Sequence, residues 1–111
     1  MVHLDHSMLQ SVLKPARYTG GEWNAVHKDW DSARCKFALA LPDVYEVGMS
    51  NLGLAILYEI LNRCEDIAAE RVYAPWIDME EEMRKRNIPL FSLETRTPIK
   101  DFDVLAFTLQ Y

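Results

Sequence analysis

KFALAL (Lys36–Leu41) runs into PDVYEVGMSNLG (Pro42–Gly53) and on through LAILYEILNR (Leu54–Arg63), and this stretch decides the fold. Lys36–Leu41 is an almost continuous apolar run stopped by Pro42. A residue before proline is pushed to extended geometry, and a run without alternation marks a strand covered on both faces, as in a parallel sheet. Asn51–Arg63 is apolar around most of a helical circumference, which predicts a largely buried helix with Ser50 or Asn51 as its N-cap.

The same alternation continues downstream. Glu70–Ala74 (ERVYA) reads as a second strand closed by Pro75. Asp78–Arg86 (DMEEEMRKR) reads as a helix, with Asp78 and Glu81 as a capping-box-like pair and Met79 and Met83 on the inward stripe. Glu80–Arg84, Glu81–Lys85 and Glu82–Arg86 are spaced as i,i+4 ion pairs. Leu90–Leu93 reads as a short third strand, and Asp103–Leu109 as a clear apolar strand placed centrally. Upstream, apolar spacing predicts a helix over 4–13 that ends at Lys14-Pro15. Residues 15–34 follow as an irregular arm pinned by Trp23 and Trp30.

Strands alternating with helices imply right-handed βαβ units. The expected fold is α/β, a Rossmann-like or flavodoxin-like open parallel sheet, truncated after its last strand. Residues 1–34 form the N-terminal helix and arm, and 35–111 the sheet domain. A central strand at the end of the chain leaves the sheet unfinished, so a fragment of a longer protein is expected, and self-association of the fragment is conceivable.

Composition narrows the function. The 111 residues are 50% hydrophobic, 11% aromatic and 26% charged, with twelve Lys+Arg against seventeen Asp+Glu for a net charge of −5. That is globular composition for one domain. The tight basic run Arg84-Lys85-Arg86 follows Glu80-Glu81-Glu82 and is paired by it, which argues against binding nucleic acid or an anionic membrane. No apolar run reaches the length of a membrane span, and the N-terminus lacks the pattern of a signal peptide. Cys35 and Cys64 belong to no metal or redox spacing, which predicts buried, reduced thiols in a cytoplasmic protein.

Ligands of open α/β sheets bind beyond the carboxyl ends of the strands, which points to Pro42–Gly53. Asp43, Tyr45, Gly48, Ser50, Asn51 and Gly53 are the candidate binding residues. Gly48 permits close backbone approach, and Ser50 and Asn51 stand where a helix N-terminus favours an anion or polar group. Equally, the glycines serve tight packing in a strand-to-helix turn. Gly48 and Gly53 have P-loop spacing, but Leu54 and Ala55 replace the required Lys and Ser/Thr, so an NTPase is excluded. G-x-G-x-x-G is absent, a receiver's phosphorylatable Asp is replaced by Thr108, and the Ser/Thr-rich loop of an FMN carrier is missing.

Several stretches carry a resemblance: Arg17-Tyr18, Gly20-Gly21-Glu22 with Asn24, PDVYEVGMSNLG with LAILYEILN, ERVYAPWIDME, PLFSLET and FDVLAFTLQY. In this order the chain resembles the N-terminal segment of radical SAM proteins that carry a cobalamin-binding-type, Rossmann-like domain before the radical SAM barrel. The resemblance implies an iron–sulfur, S-adenosyl-L-methionine-dependent enzyme whose cluster is held by C-x-x-x-C-x-x-C. That triplet does not occur here, so no catalytic residue carries over; the barrel is the implied partner, and cluster and S-adenosylmethionine belong to the missing part. In the D-x-H-x-x-G register of many cobalamin-binding domains, Asp43 and Gly48 match, but Tyr45 takes the histidine position. A phenol is a poor cobalt ligand, so cobalamin would bind without a histidine, or the domain has lost it and persists as an accessory module.

The remaining candidates read as structural. His3 and His6 flank Asp5 but are a ligand short of a metal site. His27 has no partner within reach in the sequence. Glu80–Glu82 point in different directions from a helix and form a solvated face. Trp23, Trp30 and Trp76 are better explained by packing than by stacking on a flat ligand.

Overall fold

The computed structural model describes residues 1–20 and 25–108. In chain order they form α1 (His6–Gln10), α2 (Ala16–Thr19), β1 (Cys35–Leu41), α3 (Tyr45–Met49), α4 (Leu52–Arg63), β2 (Ile67–Tyr73), α5 (Ile77–Lys85) and β3 (Val104–Phe107). The strands make a three-stranded sheet in the order β2-β1-β3. Every pairing is parallel, with Leu39 opposite both Arg71 and Ala106. The expected open parallel α/β sheet is therefore present.

Each face has its own core. Leu39, Leu41 and Ala69 meet Leu54 and Tyr58 of α4. On the other face Ala38, Ala40 and Val72 meet Leu90, Ile99 and Phe102. The continuous apolar character of β1 follows from this, since both sets of its side chains leave water. In a third cluster Met79 and Met83 of α5 pack with Val2, Leu4, Met8, Val12 and Tyr18, so the N-terminal segment is part of the folded body. Each such fully buried side chain contributes about 1.5–3 kcal/mol.

Several expectations are corrected. The helix expected over 4–13 shrinks to His6–Gln10 because the Leu13 amide leaves the helix to donate to Asp78 Oδ2 at 2.8 Å. Trp76, not Asp78, is the N-cap of α5, and Asp78 Oδ1 accepts from the Met79 amide at 2.7 Å instead. The three i,i+4 ion pairs along α5 do form, at 2.7, 3.7 and 3.3 Å. Asn87, at φ 55°, then ends the helix in the left-handed region. Residues 90–93 make only an isolated antiparallel bridge, Phe91 to Pro98.

The outcome for α4 and β3 bears on function. α4 is not largely buried: only Leu54 and Tyr58 are enclosed, while Leu52, Ile56, Leu57 and Ile60 are exposed. β3 is not central but lies at a sheet edge. The thiols are unpaired as expected but not buried, Cys35 being half-buried and Cys64 exposed. Trp30 packs edge-on against Phe102 with centroids 5.0 Å apart, whereas Trp23 lies outside the described residues. Among the described residues no helix is long and apolar enough to cross a membrane.

The outer edge of β2 is covered. The Leu93 amide donates to the Arg71 carbonyl at 2.8 Å, and the Arg71 amide donates to Glu94 Oε1 at 3.0 Å. Buried Glu70 accepts from Ser92 Oγ at 2.6 Å and from the amide and hydroxyl of Thr95 at 3.2 and 2.6 Å. The segment 92–95 is thus a strap fastened to both faces of β2.

Candidate functional site

Pro42–Gly53 leaves the carboxyl end of β1 and crosses the rim of the parallel sheet. Asp43 closes the turn, its amide donating to the Leu41 carbonyl at 2.7 Å and its carbonyl accepting from the Ala74 amide at 2.8 Å. The second bond ties the exit of β1 to the exit of β2. The sequence then forms the short helix α3, which periodicity did not reveal.

Asp43, Tyr45, Gly48, Ser50, Asn51 and Gly53 all lie along this one rim segment, as spacing implied. Ser50 and Gly53 are exposed, and the side chains of Asp43, Tyr45, Ser50 and Asn51 all have partners within the chain. Asp43 Oδ1 accepts from the Val44 amide at 2.8 Å. The Tyr45 ring meets Tyr73 edge-on at 5.7 Å between centroids. Ser50 Oγ donates to the carbonyls of Glu46 and Val47, each at 3.1 Å. Asn51 is the N-cap of α4, its Oδ1 accepting from the Leu54 amide at 2.8 Å. A Cβ on Gly48 would overlap the Tyr73 ring, so this glycine makes room for an aromatic neighbour. A Cβ on Gly53 would meet only Asn51 Oδ1, at 3.4 Å.

Residues beyond this segment complete the rim, and sequence reasoning missed them. Arg17, carried on α2, makes a bidentate pair with Glu46, Nε to Oε1 at 2.8 Å and Nη2 to Oε2 at 2.7 Å. Its guanidinium also sits 5.7 Å from the centroid of the Trp76 ring. The pair raises the Arg17 pKa, and the guanidinium holds the Glu46 carboxyl below its usual range. Tyr18 Oη accepts from the Trp76 amide at 3.2 Å. Beside Tyr73, a cavity of about 20 Å³ is lined by Tyr18, Met83 and Phe91 among others. The available signal was the aromatic clustering in Arg17-Tyr18 and in the turn after β2, Tyr73-Ala74-Pro75-Trp76.

Behind this rim a buried ion pair joins Arg71 of β2 to Glu94 of the strap. Arg71 Nε donates to Glu94 Oε2 at 2.8 Å, and the Glu94 side chain is fully enclosed. Burial pushes the Glu94 carboxyl up, and Arg71 and the Tyr58 hydroxyl pull it partway back. The Arg71 guanidinium lies 4.7 Å from the centroid of the Tyr58 ring. Tyr58 Oη accepts from the Val26 amide at 2.7 Å, and burial, with the Glu94 carboxylate, raises its pKa. This cluster fixes α4, the strap and the sheet together. Among the described residues no group of three or more His, Cys, Asp and Glu side chains converges as a metal site.

Residues 53–111 match the family of radical SAM proteins, N-terminal. The chain belongs to the radical SAM N-terminal family. The matched part takes in α4, β2, α5, the strap and β3. Of the rim candidates only Gly53 falls within it. No curated protein and no solved structure matches the chain.

Proposed function

We propose that this chain is the accessory N-terminal module of a radical SAM enzyme and carries no catalytic group itself. The iron–sulfur cluster, S-adenosylmethionine and the barrel belong to a different part of that enzyme. With two cysteines the chain lacks the three thiolates of C-x-x-x-C-x-x-C. Its role is to dock: Leu52, Ile56 and Ile60 form an apolar stripe of i,i+4 spacing on the outer surface of α4, 73%, 47% and 50% exposed. The free thiols suit a reducing, cytoplasmic setting.

The observation that carries this reading is the filled space at Gly48. A cofactor reading needs the backbone of Asp43–Gly53 open to a guest, and at Gly48, the glycine in the middle of that segment, the Tyr73 ring takes the close approach. The rim offers no imidazole, and Tyr45 packs against Tyr73. Pockets for ligands of drug size run to about 300–1,000 Å³. The cavity of about 20 Å³ beside Tyr73 has room for little more than a water molecule. The residues present do not fit cobalamin.

Titration of the protein with cobalamin, followed by visible absorption, tests the reading. No saturable spectral change is expected. A saturable change that disappears in Gly48→Leu would replace the accessory reading with the cofactor-binding one.

A further inference from the structure

We propose that β2 is a sealed edge, the permanent outer limit of the sheet, at which no strand of another segment or another chain can pair. An unpaired strand edge presents a row of free amides and carbonyls that templates strand addition. The neighbouring strand fixes which groups of β2 face outward. The Cys35 amide donates to the Asp66 carbonyl at 2.9 Å, so alternation turns the backbone of Ala68 and Glu70 toward β1 and that of Ile67, Ala69 and Arg71 away from it.

Each outward group of these three residues is taken by a group of the same chain. The Ile67 amide donates to the Cys64 carbonyl at 3.2 Å, and the Ile67 carbonyl accepts from Lys28 Nζ at 2.6 Å. The Ala69 amide donates to Asn62 Oδ1 at 2.9 Å, and the Ala69 carbonyl accepts from Asn62 Nδ2 at 3.1 Å. The Arg71 amide donates to Glu94 Oε1 at 3.0 Å, and the Arg71 carbonyl accepts from the Leu93 amide at 2.8 Å.

The middle of the seal is the most telling. A carboxamide has the donor and the acceptor of a peptide group, so Asn62, on the last turn of α4, stands where the backbone of a neighbouring strand would stand. Charged groups close the two ends. An incoming strand would have to pull Lys28 off two carbonyls, of Cys64 and Ile67, and displace Glu94 from the Arg71 amide beside its buried ion pair. Breaking such a pair leaves a charge unmatched away from water.

Native-state hydrogen exchange and sedimentation equilibrium of the whole chain test this, with Asn62→Ala and Asn62→Asp as variants and circular dichroism to monitor the fold. In the parent the outward amides of Ala69 and Arg71 should exchange within about tenfold of the inward amides of Ala68 and Glu70. N62A should speed exchange at Ala69 at least about tenfold, leave Ala68 unchanged, and self-associate at least about tenfold more tightly than the parent. N62D keeps the acceptor and should leave the Ala69 amide protected. Outward amides of the parent that exchange as fast as those of an open edge would overturn the proposal. So would unchanged exchange at Ala69 in N62A, lost protection there in N62D, or an N62A chain that opens at Ala69 yet associates no more than the parent. None of these outcomes depends on whether cobalamin binds.

Discussion

The ring of Tyr73, at the carboxyl end of β2, occupies the volume that a side chain on Gly48 of α3 would need. That contact couples the loop after β1 to the exit of β2, alongside the bond from the Ala74 amide to the Asp43 carbonyl. Gly48 is helical with an ordinary backbone, so its requirement is one of space rather than of dihedral freedom.

Gly48→Ala therefore strains a packed ring and should destabilise the fold by about 1–3 kcal/mol. Urea unfolding checks this. Shortening the ring in a Gly48→Ala/Tyr73→Leu double variant should recover part of the loss, because the two changes share one volume. If G48A is as stable as the parent, the ring has somewhere else to go.

Glu94 gives the fold a specific pH dependence. Its carboxyl titrates above the usual carboxylate range in the folded state, chiefly through burial. Between the unfolded and folded values the native state binds more protons, so this group's contribution is full at low pH and declines as pH rises through the folded value. Glu46, held low by Arg17, acts in the opposite sense and loses its contribution on acidification. Comparing unfolding free energies of the parent and Glu94→Gln from about pH 4 to about pH 8 isolates the first effect. The difference, parent minus variant, should fall with rising pH; a rising difference would mean that Arg71, not burial, governs this carboxyl.

Asn51 and Ser50 compete for one capping role, and only Asn51 holds it. Asn51→Ala should cost about 0.5–2 kcal/mol through loss of the bond to the Leu54 amide. Ser50→Ala should cost less, since its hydroxyl only adds to carbonyls within α3. Thermal melts of the pair rank them, and the reverse order would assign the cap to Ser50.

What could be read in advance was what neighbouring residues decide. β1 was legible because an apolar run meets Pro42, and α4 because Asn51 stands before a helical pattern. The rim candidates fell together because spacing along one loop fixes them near one strand end. The rest depends on distant partners. α3 contains Gly48, a poor helix former, and rests on a ring from β2. The first helix stops early because Asp78, 65 residues on, takes the Leu13 amide. The apolar circumference of α4 could not tell a core helix from one that buries only Leu54 and Tyr58, since Leu and Ile stand on both its covered and its exposed sides. Leu90–Leu93 read as a strand, and the strap it opens was not foreseen, because the groups it binds, on Glu70 and Arg71, belong to another element.

The strap also sets an order of events during synthesis. Glu70 and Arg71 leave the ribosome 22 to 25 residues ahead of Ser92, Glu94 and Thr95. Until those residues emerge, the outer edge of β2 stays open to water and its acid and base lack these partners. The covering of that edge can therefore be completed only once translation has passed Thr95, well after both of the first two strands have been made.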